Sequence, residues 1–436
     1  MATRTSKGPS TETKSQGDVA FLGGAVDDSG MEEIVQHDPR PQAQANKHQW
    51  SLISGLEAAR GRPVCLLSTL LISDFPRNPR IFVSKRKWCH CADSNDLILG
   101  FINILILKHI TRFTSALTAV IRWQRQCPRG TRKVLIVYSL ISSHLWAALL
   151  ARWLARDIRV VNIVTDPPSE LLPDDGQVRR CLRMFDRWLI KLAMRKMDGL
   201  VVLAKNIATD FAPSIPYILM EGIISKKDCE ELVSRCSGGD GEGGGRKESN
   251  RSKRFRIMFC GGLTERNGLG LLLDAFALLE ENRFELWVFG KGEMAGKVRM
   301  AAEVKSSVKY GGFVSQEVIR DMLSEADILV NPRGSGQDFN RYSFPSKLME
   351  YMASGCPVIS TILPSLPEDY YQYLMLLKEE TPIALAAMIE RVSRMPIGER
   401  RLFGAQAREF VLREKDYRVQ GGRLGGFLEE VIGAGQ

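Results

Sequence analysis

Cysteine is scarce in this chain. Nine are spread over 436 residues, an odd number, with no Cys-x-x-Cys pair. That excludes a disulfide framework and fits a reducing, cytoplasmic compartment. Cys89-His90-Cys91 is the one tight cluster, and without a second pair at zinc spacing it is a weak metal signal, so no metal is expected. Uninterrupted apolar runs of membrane length are also missing. Leu97 to Leu107 is too short to cross a bilayer. Val134 to Ala155 is long enough, but Ser139, Ser142, Ser143 and His144 interrupt it, and a strand followed by a helix explains it. Met1 to Ser15 is rich in Ser, Thr and Lys with no apolar core, so it does not read as a signal peptide. The glycine-containing turn Cys260–Gly268 does not match G-x-G-x-x-G either, so a dinucleotide fingerprint is not supported there.

What is present is the composition of a globular protein, 44% hydrophobic and 25% charged, which excludes a collagen, a coiled coil and a wholly disordered chain. The length predicts two or three domains. Sixty basic residues against 50 acidic ones give +10, suited to nucleotide phosphates, nucleic acid or a membrane surface, and too diffuse to choose among them.

Residues 1–57 are polar and poor in aromatics, and read as a disordered tail. From Val64 onward, strand-like and helix-like segments alternate: Val64–Ile72, Val134–Tyr138, Ser143–Ala155, Arg159–Val164, Val178–Met197, Gly199–Leu203 and Tyr217–Met220. Six glycines between Gly238 and Gly245 mark a linker. A second alternating series runs from Arg256 to Ser360, and a charged, mostly helical stretch follows from Pro382. Continuous apolar strands imply burial on both faces of a parallel sheet. The expected organisation is a tail (1–57), an N-terminal Rossmann-like domain (58–232), a Gly-rich linker (233–254), a C-terminal Rossmann-like domain (255–395) and a helical segment (396–436). The carboxyl ends of the two doubly wound domains would face a central cleft.

The strongest chemical signal is Ser343-Phe344-Pro345-Ser346-Lys347-Leu348-Met349-Glu350-Tyr351-Met352-Ala353-Ser354-Gly355-Cys356-Pro357-Val358-Ile359. Pro345 suits the first turn of a helix, which puts Ser346 and Lys347 at an N-terminus that favours an anion. Glu350 lies three residues past Lys347 on the same face, placed for sugar hydroxyls. A capped helix with a surface Lys–Glu pair would have the same spacing. Cys260-Gly261-Gly262-Leu263-Thr264-Glu265-Arg266-Asn267-Gly268 joins a strand to a helix with glycines that admit a phosphate and an arginine that can bind it bidentately. A plain strand-to-helix turn is the competing reading. Gly290-Lys291-Gly292 and Gly311-Gly312-Phe313-Val314 end further strands at the same edge. In the N-terminal half, His144, Asp166 and Glu221 lie at or after strand ends, where either cleft chemistry or turn and helix capping could use them.

In this order, and with Asn331-Pro332-Arg333 between, these pieces resemble the nucleotide-binding domain of the glycosyl transferases group 1 family, retaining enzymes of GT-B fold. The likeness runs over Arg256 to Ser360. Val161–Pro168 and Tyr217–Ile223 are similar, more faintly, to the acceptor domain of its bacterial polysaccharide-making members, so about half the chain is covered. The resemblance implies that Glu350 holds the donor ribose, that Ser346, Lys347 and Leu348 lie beside the diphosphate, and that Arg266 contacts it and stabilises the leaving group. It also implies that Gly312, Phe313 and Val314 meet the base, with Gly261, Gly262 and Gly290 completing the donor site. Arg266, Lys347 and Asp166 are the residues expected to carry catalysis. Two positions depart from the family: Tyr342 stands where a glutamate is common, and Asn267 where a lysine is usual. The family's Gly-rich loop is not visible at Ser68 to Pro79.

The function implied is transfer of a sugar, with retention, from a nucleoside-diphosphate donor to a hydroxyl in polysaccharide or glycolipid synthesis, without metal or cofactor. A GT-B-like nucleotide-binding module without catalysis is the alternative, and a Rossmann oxidoreductase or epimerase a more distant one. Arg179, Arg180, Arg183, Arg187, Lys191, Arg195 and Lys196 face only Asp186 over 179–196, with Leu182, Phe185, Trp188, Leu189 and Leu192 at helical spacing. This helix could lie on an anionic cytoplasmic membrane face and meet a lipid-linked acceptor, or it could be a solvated basic face on a core-packed helix. No nucleic-acid motif accompanies it, so no nucleic-acid partner is expected.

Overall fold

The computed structural model describes residues 18–128, 130–168, 177–237 and 254–434. Among them the N-terminal half contains β1 (Asp18–Gly23), α1 (Asp28–His37), α2 (Ala43–Arg60), β2 (Cys65–Ser68), β3 (Phe82–Val83), β4 (Arg86–Trp88), β5 (Asp96–Ile98), β6 (Phe101–Ile102), α3 (Leu105–Gln126), β7 (Lys133–Tyr138), α4 (Ser142–Leu154), β8 (Ile158–Val164), α5 (Gln177–Met194), β9 (Gly199–Val202), α6 (Lys205–Phe211), β10 (Tyr217–Leu219) and α7 (Lys226–Ser237). The C-terminal half contains β11 (Phe255–Gly262), α8 (Leu269–Ala277), β12 (Phe284–Lys291), α9 (Ala295–Val304), β13 (Val308–Gly312), α10 (Gln316–Glu325), β14 (Ile328–Asn331), α11 (Asp338–Tyr342), α12 (Ser346–Ala353), β15 (Val358–Thr361), β16 (Met375–Leu377), α13 (Pro382–Arg394), α14 (Ile397–Lys415) and α15 (Tyr417–Gly433).

Two sheets result. The first runs β10-β9-β8-β7-β1-β2-β5-β4, parallel except for β4 against β5. The second runs β13-β12-β11-β14-β15-β16 and is parallel throughout. Strands such as Val134–Tyr138 are buried on both faces, as a continuous apolar run requires. On one face of the first sheet lie α3, α4 and α5, and on the other α2 and α15.

The tail expectation is corrected. Residues 1–17 lie outside the described residues, but residues 18–57 are built into the fold. Val19-Ala20-Phe21-Leu22 of β1 sits between β7 and β2 in the middle of the sheet, with Val19 and Phe21 on one face and Ala20 and Leu22 on the other. The polar residues that made this segment look like a tail are spent internally. The Gln49 side chain accepts from Gly24 N at 2.7 Å, Asn46 from Val26 N at 3.0 Å, and Trp50 donates to Val26 O at 2.7 Å. Most of the expected linker, residues 238–253, lies outside the described residues.

The last helix does not stay with the half that precedes it. From the end of α14 the chain crosses back, and α15 packs Leu424, Phe427, Leu428 and Val431 onto the first sheet beside α2. The crossing is close because both helices present glycine. A Cβ on Gly55 would lie 2.1 Å from Tyr417 O, and one on Gly421 2.0 Å from the Gly55 carbonyl carbon.

The Cys89-His90-Cys91 cluster is a structural ion pair. His90 Nδ1 meets Asp96 at 2.7 Å and Nε2 meets Glu57 at 2.8 Å, so both ring nitrogens are engaged by carboxylates rather than open to a metal. Burial lowers the imidazolium pKa, but the bonds and charges of Asp96 and Glu57 outweigh it and raise His90 to about 10.

Gly421→Val should destabilise the protein by about 1–3 kcal/mol in thermal denaturation, because α15 must lift from α2. Gly422→Ala, whose Cβ meets nothing within 4 Å, should be neutral or slightly stabilising. Equal behaviour of the two would contradict the close crossing. His90→Gln strands the buried Asp96 carboxylate and should cost about 3 kcal/mol near neutral pH. A raised pKa means that this stabilisation is complete below the ordinary imidazole value of 6.5 and is lost as pH rises through about 10. The stability gap between wild type and variant should therefore close between pH 7 and 10, and a gap independent of pH would count against the ion pair.

Candidate functional site

Four neighbouring strands of the second sheet, β13, β12, β11 and β14, end side by side, and most of the sequence-predicted residues lie at those ends. The geometry starts from Tyr351 on α12, fully buried beneath them. Its hydroxyl accepts from Cys260 N at 2.8 Å and donates to Cys260 O at 2.9 Å. This double contact fixes the middle of α12 against the end of β11. One turn earlier on α12, Lys347 then lies over Gly261, where a Cβ would be 3.9 Å from Lys347 Cγ.

Pro345 precedes α12 as its cap, and Ser346 and Lys347 open the helix, as the spacing predicts. Lys347 Nζ and Glu350 Oε2 are 2.6 Å apart, with about a third of each side chain exposed. Leu348 corrects the expectation. Its side chain is fully buried in the core and its amide donates to Pro345 O at 2.8 Å, so it supports the helix and offers a donor molecule nothing.

Between β11 and α8 the chain makes a short turn capped by Thr264. Asn267 spends its side chain on Gly262 O at 2.8 Å and contributes no charge. Arg266 is exposed on this turn, its guanidinium 4.2 Å from the centre of the Phe339 ring of α11. Gly268, at φ 76°, lets the turn meet the loop after β14: a Cβ there would lie 1.7 Å from Pro332 O. That loop carries Arg333, to which the sequence reading gave no role. Its Nη1 is buried with no hydrogen-bond partner among the described residues. Burial pulls the Arg333 pKa below the usual guanidinium value; Tyr351 opposes this, and the like charge of Arg266 adds to it. The available signal was its position, directly after a strand at the same sheet edge. Arg266, Arg333 and Lys347 thus converge on one edge, and the carboxylate next to Lys347 is Glu350.

At the other end of the row, Gly290 backs onto β11, since a Cβ would lie 1.8 Å from Gly261 O. Lys291 Nζ sits 4.6 Å from the centre of the Phe313 ring, and that ring is 74% exposed. Gly312 turns at φ 67°, which brings Phe313 and Val314 round to this edge.

The N-terminal candidates fare differently. Asp166 is exposed after β8 at the carboxyl edge of the first sheet, and accepts from Thr165 Oγ1 at 3.0 Å. His144 is fully buried at the start of α4, with Nε2 3.0 Å from Thr69 Oγ1, and burial, then Arg112, push its pKa down to about 3. It is neutral at physiological pH. Glu221 is not at a cleft: it is buried against Lys415 at 2.5 Å and accepts from Tyr370 at 2.8 Å where the chain passes between halves. Tyr342 turns toward the first half as well, donating to Asp210 at 2.8 Å beside an Arg341–Asp210 pair at 2.9 Å. That position fastens α11 to α6.

Residues 254–394 match the model of the glycosyl transferases group 1 family. The amylovoran biosynthesis glycosyltransferase AmsK of Erwinia amylovora is 34% identical over 147 residues, which is 32% of this chain and 36% of AmsK. The alignment thus spans little more than a third of that relative. Among solved structures, apo OtsA superposes with a TM-score of 0.63 at 10% identity, over 95% of this chain and 99% of its own. Anabaena Alr3699/HepE in complex with UDP superposes with a TM-score of 0.55 at 14% identity, over 95% of this chain and all of its own. The likeness to OtsA shows the fold, two parallel α/β halves of GT-B type, and within it residues 254–394 are similar to the glycosyl transferases group 1 family.

Proposed function

We propose that the chain is a retaining glycosyltransferase that takes a sugar from a nucleoside-diphosphate donor. The observation that carries this is the convergence of Arg266, Arg333 and Lys347 on one sheet edge, Lys347 at the start of α12 and Glu350 one turn along it. Three cations at one sheet edge, one of them opening a helix, suit a diphosphate. A carboxylate beyond them suits ribose hydroxyls, and an exposed ring flanked by Lys291 suits a stacked base. The complex of HepE with UDP supports the same ligand class for this fold.

The chemistry needs charge stabilisation more than acid–base groups. The bond from the sugar C1 to the diphosphate oxygen breaks while the acceptor oxygen bonds to C1 on the same face. The acceptor proton passes to a departing phosphate oxygen. Arg266, Arg333 and Lys347 hold the negative charge that develops there. Asp166, at the facing sheet edge, is the acceptor-side candidate. No step uses a metal or cofactor. The name of AmsK supports a hydroxyl acceptor in polysaccharide assembly. A lipid-linked acceptor would be met at a cytoplasmic membrane face through α5, whose exposed Phe185 and Trp188 stand among arginines. No helix of the described residues is long and apolar enough to cross a membrane, so the contact would be peripheral. Tyr342, turned to Asp210, supports one second reading: a nucleotide-binding module without transfer.

Calorimetric titration with UDP, GDP, ADP and NAD should find one tight nucleoside diphosphate and no nicotinamide binding. Glu350→Ala, Lys347→Ala and Arg333→Ala should each weaken it by roughly 1.5–3 kcal/mol, about 10- to 100-fold. Wild-type affinity in all three would remove this site. Slow hydrolysis of the matching nucleotide sugar by wild type separates the enzyme from the silent module.

A further inference from the structure

Helix α3 is built inside out at its start. Lys108 and Arg112, one turn apart, are buried: Lys108 Nζ donates to Ile72 O at 2.7 Å and pairs with Asp74 at 2.5 Å, and Arg112 Nη2 donates to Leu70 O at 2.7 Å. Both cations tie the loop after β2 to the helix. The apolar side chains of the same two turns therefore face solvent. Ile104, Leu105, Ile106, Leu107 and Ile110 are all exposed, Ile106 by 59% and Ile110 by 54%. Phe82, on the antiparallel strand pair β3–β6 that precedes the helix, is 71% exposed. A cleft of about 390 Å³ lies between this strand pair and the next turns of α3, lined by Phe82, Phe101 and Ile102 on one side and by Thr111, Thr114 and Thr118 on the other. A soluble helix normally does the reverse, and a contiguous apolar patch of this kind marks a contact surface.

Its occupant follows from charge and placement. Strands β5, β7 and β8 run parallel; α4 and α5 follow β7 and β8, and α3 follows β5 after the two residues of β6. The three helix starts therefore share one end of the layer. Helix α4 lies between the other two, with Trp146 donating to Leu189 O of α5 at 3.2 Å. On the α5 side, Leu182, Phe185 and Trp188 are exposed, Phe185 stacked on Trp188, beside Arg180 and Arg187. On the side of the β3–β6 strand pair, exposed Lys85 stands next to Gly100, and exposed Arg86 follows it, paired in register with Ile98. Apolar side chains bordered by cations on both sides match a bilayer that carries negative headgroups over a hydrocarbon interior.

We infer that the start of α3 is a membrane-insertion element, with Ile106 and Ile110 entering the acyl region of an anionic bilayer while the cations of α5 and of the segment before β4 hold the headgroups. This extends the membrane contact proposed for α5, and the two can fail separately. The test is flotation with vesicles of phosphatidylcholine plus phosphatidylglycerol, against phosphatidylcholine alone. Wild type should float with the anionic vesicles. Ile106→Gln/Ile110→Gln should bind them at least about tenfold more weakly, the equivalent of losing one buried isoleucine, and should keep its nucleotide affinity. Arg180→Gln/Arg187→Gln should lose the preference for anionic vesicles. In Ile106→Trp, the introduced indole should be quenched by lipids brominated along the acyl chain. Unchanged binding of the isoleucine variant, an unquenched indole, or a wild type that ignores vesicles and pairs with itself would each overturn the insertion. Loss of binding only in the arginine variant would leave α5 as the sole contact. Absence of nucleotide binding would sink the glycosyltransferase reading without touching this one.

Discussion

The candidate site depends on one buried hydroxyl. Tyr351 gives and takes a hydrogen bond at the backbone of Cys260, and so welds α12 to the last residues of β11. Without that register the helix N-terminus would not stand over the Gly261–Gly262 turn. Burial raises the Tyr351 pKa well above the usual phenol value, so the hydroxyl stays protonated and able to donate. The glycines around it act by what they leave out: Gly268 and Gly290 let neighbouring backbone come within a distance that no Cβ would allow.

A second constraint holds the halves together. The chain crosses between them twice, and the crossings lie side by side: Ile224 N donates to Lys415 O at 2.8 Å, and Ile224 bridges Asp416 in parallel. Glu221, Lys415 and Tyr370 fill this joint with a buried ion pair and a hydrogen bond to the same carboxylate. Tyr370 also contacts Met349 Sδ at 3.4 Å, so the joint abuts the helix that carries Lys347 and Glu350. Removing one partner of such a pair costs far more than the pair contributes, because a buried charge is left alone.

Legibility in the sequence followed burial. Apolar runs such as Val134–Tyr138, Ile158–Val164 and Phe255–Cys260 were readable as strands because both their faces are covered. The spacing of Pro345, Ser346, Lys347 and Glu350 put them on one helix start, and they are found there. Strand β1 was hidden because Val19–Leu22 is only four residues long and sits among polar residues whose side chains satisfy loop backbone. The return of α15 was hidden because its contact with α2 rests on two glycines nearly 370 positions apart, which no local pattern reports. Arg333 and Glu221 illustrate the remaining gap. Each ends or follows a strand, and only the fold shows that one is a buried cation with an unpartnered nitrogen while the other belongs to the joint.

The central claim is that three cations at one sheet edge hold a diphosphate. The most direct measurement is a crystal structure with the tightest-binding nucleoside diphosphate. The account predicts the β-phosphate at the start of α12, within hydrogen-bond reach of Arg333 Nη1 and the Lys347 ammonium, with ribose hydroxyls at Glu350. A nucleotide bound elsewhere, with Arg333 still unpartnered and Lys347 still on Glu350, would contradict it.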